Sequence, residues 1–200
     1  MRSRPMMKTA AVWLLALLML AGSVSGASAY TLNGQTYTDY AWMPATLNQR
    51  LATRTGPGTQ YDEPGSFFSA GTVVTVLSKA YDQPNGIWWV QVEFSSGGNL
   101  YRAYTGVKRF RDLNLQYIPE EQVIGWCYFG HSTECYYGPS YEYRRISRNI
   151  PAGVSCDIIA IDAGYESDFI QVEFYDAGLR QYRRAWVAEW QADEIYRYDY

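Results

Sequence analysis

The 200-residue sequence contains a single histidine, His131, and this scarcity limits the chemistry that the chain can perform. A serine or cysteine nucleophile needs a general base within hydrogen-bond reach, and that base is usually histidine. The sequence therefore predicts a protein that is not an enzyme and that needs no cofactor.

The sequence also lacks an apolar run long enough to cross a membrane. The run Ala10–Ala21 has about 12 residues, whereas a spanning helix needs about 20. It follows a basic start and precedes the small-x-small triplet Ala27-Ser28-Ala29, which predicts a secretory signal peptide over residues 1–29. A lipoprotein would carry a cysteine where Ser23 stands, so we expect a secreted or cell-envelope protein without a membrane anchor after cleavage.

Blocks of basic residues are missing as well. The formal net charge of the chain is −3, and the charged residues of the leader are all basic, so the mature chain is more acidic still. An acidic chain without a lysine- or arginine-rich block offers no positively charged surface for the phosphates of nucleic acid, so we expect no nucleic-acid partner. Aromatic residues are plentiful, with 19 Tyr and 7 Trp, a composition that favours sheets and adhesive surfaces.

An internal repeat organises the mature chain. Three segments recur at offsets of 82, 80 and 82 residues: Gly56-Pro57 as Gly138-Pro139, Gln91–Phe94 as Gln171–Phe174, and Arg102–Tyr104 as Arg184–Trp186. The repeat predicts two units, the first at residues 45–110 and the second at 124–191. Residues 30–44 form a lead-in, 111–123 a linker, and 192–200 an acidic and aromatic tail.

Apolar residues alternate with period two in both units, and no stretch of the mature chain sustains a helical period. In the first unit Trp88, Val90, Val92 and Phe94 are predicted to face inward, and Trp89, Gln91 and Glu93 outward. In the second unit Ile170, Val172 and Phe174 are predicted to face inward, and Phe169, Gln171 and Glu173 outward. The sequence therefore predicts an all-β fold of two tandem small β-barrels.

The charged residues of these strands favour ordinary roles. Glu93 and Glu173 are expected on solvated faces of two separate units, which leaves no carboxylate pair at the spacing of a glycosidase. Arg180, Arg183 and Arg184 form a small basic cluster in an acidic chain, for which salt pairing is the expected outcome.

The repeat resembles the bacterial SH3-like (SH3b) domain family. Leu51–Gly58 is similar to the family's opening motif L-N-V-R-S-G-P-S, Ala70–Leu77 to G-T-x-V-x-V-L, and Trp88-Trp89 to its tryptophan strand. The second unit keeps only Gly138-Pro139-Ser140 of the opening motif and is divergent. The resemblance implies SH3-like barrels and the recognition of cell-envelope material such as peptidoglycan peptide or glycan. A protein–protein adaptor in an extracellular assembly is the alternative.

Aromatic residues outside the expected cores are the candidates for ligand binding. We expect Trp89, Tyr61 and Tyr101 to line a principal groove near the turn Pro84-Asn85-Gly86. Phe169, Tyr141 and Tyr182 stand at comparable places in the second unit and predict a weaker site. The alternative is that these rings only pack on the sheets of a small protein and bind no ligand.

The three cysteines leave several arrangements open. The segment from Cys127 through His131 to Cys135 could be a metal site, but it lacks the paired spacings of common zinc sites. A Cys127–Cys135 disulfide is favoured in an oxidising compartment, with Cys156 as a buried core residue in the place of Val74. A Cys135–Cys156 bridge is the rival pairing, and three reduced thiols are expected if the cell is anaerobic.

Overall fold

The computed structural model describes residues 29–32, 35–65, 68–163 and 167–198. These residues form strands and short 3-10 helices, and no α-helix occurs among them. The all-β prediction is therefore confirmed. The signal peptide predicted over residues 1–29 lies outside the described residues except for Ala29. None of the described helices is long and apolar enough to cross a membrane.

The strands are short and joined mostly by turns. In chain order they are β1 (Ala29–Leu32), β2 (Gln35–Thr38), β3 (Met43–Thr46), β4 (Val73–Asp82), β5 (Ile87–Ser96), β6 (Asn99–Gly106), β7 (Gly125–Phe129), β8 (Val154–Asp162), β9 (Phe169–Asp176), β10 (Gln181–Ala188) and β11 (Glu194–Arg197). The 3-10 helices are η1 (Val107–Arg109), η2 (Leu115–Tyr117) and η3 (Glu189–Gln191).

The two units have the same strand order. The first forms the four-stranded antiparallel sheet β3-β4-β5-β6, and the second forms β7-β8-β9-β10 with β11 added beside β7. β1 and β2 form a separate two-stranded ribbon. The register between the second and third strands of each unit shifts at Leu77 in the first and at Ile159 in the second. These two residues are 82 positions apart, so the repeat extends to the β-bulge.

Each unit has its own hydrophobic core, formed by the predicted inward faces with one exception. Trp88 was predicted to face inward, but it is half-buried and packs against Tyr81, with ring centroids 5.0 Å apart, instead of joining the first core. Val90, Val92 and Phe94 are buried in the first core. Ile170, Val172 and Phe174 are buried in the second core together with all three cysteines. Cys156 occupies the place that Val74 has in the first unit, as predicted. Burial of such side chains supplies about 1.5–3 kcal/mol each.

Segments predicted to lie outside the units also pack against them. Ile118 of the linker is buried in the first core. β11 begins at Glu194 in the predicted tail, and its Ile195 packs against the second core. At the other end, β3 begins at Met43 in the predicted lead-in.

Candidate functional site

The faces opposite the two cores meet each other instead of facing water. Gln91 and Gln171 were expected to point outward, but they are 1% and 3% exposed. Both amides donate hydrogen bonds to the Tyr104 hydroxyl, at 3.1 Å and 3.2 Å. The alternation predicted which residues share a face, whereas it gave no indication that the polar faces of the two units would pack together.

Tyrosine and glutamate pairs cross this interface in both directions. The Tyr61 hydroxyl donates to Glu173 Oε2 at 2.5 Å, and the Tyr143 hydroxyl donates to Glu93. These pairs are related by the repeat, since each tyrosine follows its Gly-Pro by the same number of residues. Each unit therefore contributes the same tyrosine and the same glutamate to the interface, an arrangement with approximate two-fold symmetry.

Two buried arginines complete the interface. Arg102 donates through Nε to Glu93 at 2.8 Å in its own unit and through a terminal nitrogen to Asp162 of the other unit at 3.0 Å. Arg184 donates through Nε to Glu173 at 2.6 Å and also pairs with Glu121 of the linker. Glu93 and Glu173 are therefore paired at the interface and not solvated as expected.

Burial shifts the ionisation of groups at the interface. It raises the pKa of Tyr61 and of Tyr143, so both hydroxyls remain protonated donors at neutral pH. Burial also raises the pKa of Asp162, although the charge of Arg102 opposes this effect.

A cleft of about 340 Å³ opens between the two units beside Arg184. The corresponding place beside Arg102 is filled, because the rings of Tyr40 and Trp42 lie 4.9 Å and 5.4 Å from its guanidinium carbon. At an offset of 82 residues the second unit has Gln122 and Ile124 in place of those rings. The approximate symmetry of the interface therefore breaks at this point. The cleft lies beside Arg184, where no counterparts of the Tyr40 and Trp42 rings are present.

The lining of the cleft is acidic, with an aromatic and proline rim. It includes the carboxylates Asp82, Glu120, Glu121 and Glu173, the cation Arg184, and Tyr61, Tyr81, Pro57 and Pro84. Asp82 is 3% exposed, and its Oδ1 atom has no hydrogen-bond partner among the described residues, while Oδ2 accepts from Asn85 at 2.8 Å. A buried oxygen without a donor is costly, and this one belongs to a residue that lines the cleft.

The three residues predicted for the principal groove do not line one groove. Tyr61 lines the cleft, where it is 6% exposed. Tyr101 stacks on Phe94 with ring centroids 5.5 Å apart and so packs at the edge of the first core. Trp89 is half-buried, and its indole Nε1 has no partner among the described residues. Of the three, only Tyr61 belongs to the cleft.

The residues predicted for the second site also have different roles. Phe169 is 1% exposed and packs at the interface beside Trp186 and Leu77, so it offers no surface to a ligand here. Tyr141 is 43% exposed, with its ring edge-on to Phe169. Tyr182 is 45% exposed and lies next to the cleft, with its ring centroid 6.0 Å from that of Tyr61.

Several residues of the interface were not recognised from the sequence as a site. Arg102 and Arg184, and likewise Glu93 and Glu173, were visible as parts of the repeated segments. A polar residue that is repeated at the same strand position indicates that both units use it in the same structural contact. The repetition of these arginines and glutamates was therefore the signal that could have identified them. Asp82 and Glu121 lie outside the three repeated segments and were not singled out. Salt pairing was correctly expected for Arg183, which donates to Asp176 at 3.0 Å, and for Arg184.

The cysteines are free thiols, and all three are buried. Cys127 lies opposite Cys156 across β7 and β8, while Cys135 lies near the guanidinium of Arg183. Burial raises the pKa of Cys135 to about 11. The predicted Cys127–Cys135 disulfide is not formed in this structure, which places Cys156 and not Cys135 opposite Cys127.

His131 has a surface position, with Nδ1 3.2 Å from a carboxylate oxygen of Asp193. Over the described ranges, no group of His, Cys, Asp and Glu side chains has the arrangement of a metal site.

Comparison with known proteins adds no relative. The chain matches no protein-family model, and no curated protein or solved structure matches it. The resemblance to SH3-like domains consequently rests on the sequence motifs alone, and the function has to be argued from the geometry of the cleft.

Proposed function

We propose that this chain is an exported, noncatalytic binding protein built from two SH3-like barrels, and that it holds peptidoglycan peptide or glycan in the cleft between them. The observation that carries the proposal is the cleft itself. It has about 340 Å³ of space, a buried Asp82 oxygen without a donor, and tyrosine rings at its edge. Concave sites of this size with a few fixed polar groups are typical of ligand binding.

The chemistry of the lining favours a ligand rich in N–H and O–H groups. The carboxylates of Asp82, Glu120, Glu121 and Glu173 are all acceptors, and Arg184 is already occupied by two of them. Peptides and glycans of the cell envelope carry many donors, and the faces of their sugar rings pack well on tyrosine. The lining contains no histidine, so it supports binding without a general base of the usual kind.

A protein–protein adaptor is the second candidate, and exposed aromatic rings favour it. Trp190 is 70% exposed and Trp42 is 51% exposed. Trp42 also has a positive φ of 47°, a backbone conformation that is costly for a bulky residue. Exposed tryptophans are enriched in protein interfaces, where their burial supplies much of the binding free energy.

Binding to purified sacculi tests the first proposal. The mature protein should be retained on protein-free sacculi, and Tyr81→Ala should weaken this retention, because truncating an aromatic anchor costs about 2 kcal/mol. Tyr81 lies on the lining of the cleft and is 38% exposed, so the variant should still fold. Tyr117→Ala is the matched control, since Tyr117 is 55% exposed and lies outside the cleft.

Each outcome bears on one of the two candidates. Equal retention of both variants would reject the cleft as the binding site. Retention only on envelopes that still contain protein would favour the adaptor. Release of soluble fragments from the sacculi by the purified protein would contradict a noncatalytic role.

A further inference from the structure

A row of side chains crosses the face of the five-stranded sheet opposite the second core, from the interface with the first unit at Arg184 to the β11 edge. The register pairs Arg184 with Glu173, Glu173 with Asp157, Asp157 with Trp126, and Trp126 with Tyr196. Residues directly opposite each other in an antiparallel sheet point to the same face. The row therefore places two neighbouring carboxylates in its middle and aromatic rings at the β11 end.

These side chains border a groove of about 380 Å³. Trp126 forms one wall and is backed by Tyr196, whose ring is nearly parallel to it at 6.3 Å. Tyr175 and Tyr182 form the other wall, packed edge to face at 5.3 Å. The walls stand on β7 and on β9 and β10, so they are about two to three strand spacings, or roughly 10–14 Å, apart. Asp157 lies between the walls.

The charges around Asp157 are not balanced. Glu173 accepts from Tyr61 and Arg184, and Arg184 is shared with Glu121. One guanidinium thus faces three carboxylates, and Asp157 makes no hydrogen bond or ion pair with any described side chain. Asp157 is exposed, and partial desolvation and the charge of Glu173 raise its pKa, although the charge of Arg184 opposes this effect.

We propose that this groove binds an alkylammonium group, such as the side-chain amine of lysine or of another diamino acid. The ammonium pairs with Asp157, and its methylene stem packs between Trp126 and the tyrosine wall. Both contacts favour a cation, because aromatic faces attract positive charge and an unpaired carboxylate gains a charge-assisted hydrogen bond. The site is separate from the cleft proposed above, although Glu173 borders both.

The test is a titration of the isotope-labelled full mature chain with Nα-acetyl-lysine-N-methylamide, followed by NMR. We expect saturable shifts of the Trp126 indole N–H and the Asp157 amide. Asp157→Asn should weaken the affinity at least about tenfold, because it removes the charge without changing the shape. Asp112→Asn is the matched control, since Asp112 is an exposed aspartate outside the groove. Nε-acetylation of the probe should abolish the shifts.

Four results would overturn this proposal. The first three are equal binding of the acetylated probe, unchanged affinity in Asp157→Asn, and shifts that map away from Trp126. If Asp157→Asn fails to fold, Trp126→Leu provides a second variant that should weaken binding of the amine. Saturation by N-acetylglucosamine without a response to the amine would also overturn it. The outcome of this titration is independent of the sacculus experiment. That experiment tests the cleft through Tyr81, which does not border the groove.

Discussion

The repeated glycine before each proline has a role that its sequence context did not reveal. In the sequence, the Gly-Pro pair was recognised as one of the repeated segments. In the structure, a Cβ atom on Gly56 would collide with the ring of Tyr61, and one on Gly138 would collide with the ring of Tyr143. The missing side chain therefore lets each tyrosine lie against the backbone and reach the glutamate of the other unit.

This packing predicts that Gly56→Ala destabilises the fold. The added methyl group would displace the Tyr61 ring and its hydrogen bond to Glu173, and overpacking of this kind costs about 1–3 kcal/mol. Gly106→Ala is the matched control, because a Cβ atom there meets no atom within 4 Å. Urea unfolding gives both free energies. If the two variants were equally stable, the tyrosine would not depend on the glycine.

Strands were the elements that the sequence predicted best. Alternation identified the core-facing residues of β5 and β9, because both strands have one fully apolar face. β11 was not predicted, since Ile195 is the only aliphatic residue among its four and its pairing depends on the distant β7. The β-bulges at Leu77 and Ile159 were also missed. A bulge is defined by the register between two strands, and the sequence of one strand does not show that register.

The burial of all three cysteines in the second core predicts that the native protein protects them. Cys127 and Cys135 are fully buried, and Cys156 is 2% exposed. A hydrogen bond with Cys127, together with burial, raises the pKa of Cys156, so this thiol is not ionised at neutral pH. We expect a thiol reagent to modify no cysteine in the native protein and all three after unfolding. A single reactive thiol after unfolding would instead indicate a disulfide, and peptide mapping would identify its partners.

At the scale of the whole molecule, the sequence predicted two barrels joined by a linker, and the structure packs the two units together. The repeat located both units, but it could not indicate which faces meet. The contacting faces combine polar side chains, such as Gln91, Gln171 and two arginines, with the buried apolar cluster around Phe169 and Trp186. Strand faces that carry so many polar residues usually contact water. The cleft was not predicted for the same reason, because it lies between the units, where Gln122 stands in the place of Tyr40.

Packing through buried charges predicts that the two units unfold as one. Arg184 is 8% exposed and is bound to Glu121 and Glu173, so Arg184→Ala would leave two poorly solvated carboxylates without their cation. Removing one partner of a buried ion pair costs about 3–5 kcal/mol. The partners of Arg184 lie in different parts of the chain: Glu121 in the linker, Glu173 in the second unit, and Tyr104, which accepts from Arg184 at 2.9 Å, in the first unit. The loss of the Arg184 side chain therefore destabilises both units.

The measurement is urea unfolding followed by far-ultraviolet circular dichroism and by tryptophan fluorescence. We expect one transition by both probes, shifted as a whole to lower urea in Arg184→Ala. Arg111→Ala, at an exposed arginine of the linker, should leave the midpoint unchanged. Urea is preferable to guanidinium because it does not screen ion pairs. Two separate transitions, with only the second unit affected by Arg184→Ala, would mean that the units fold independently, and the cleft between them would then lack the rigid walls that ligand binding requires.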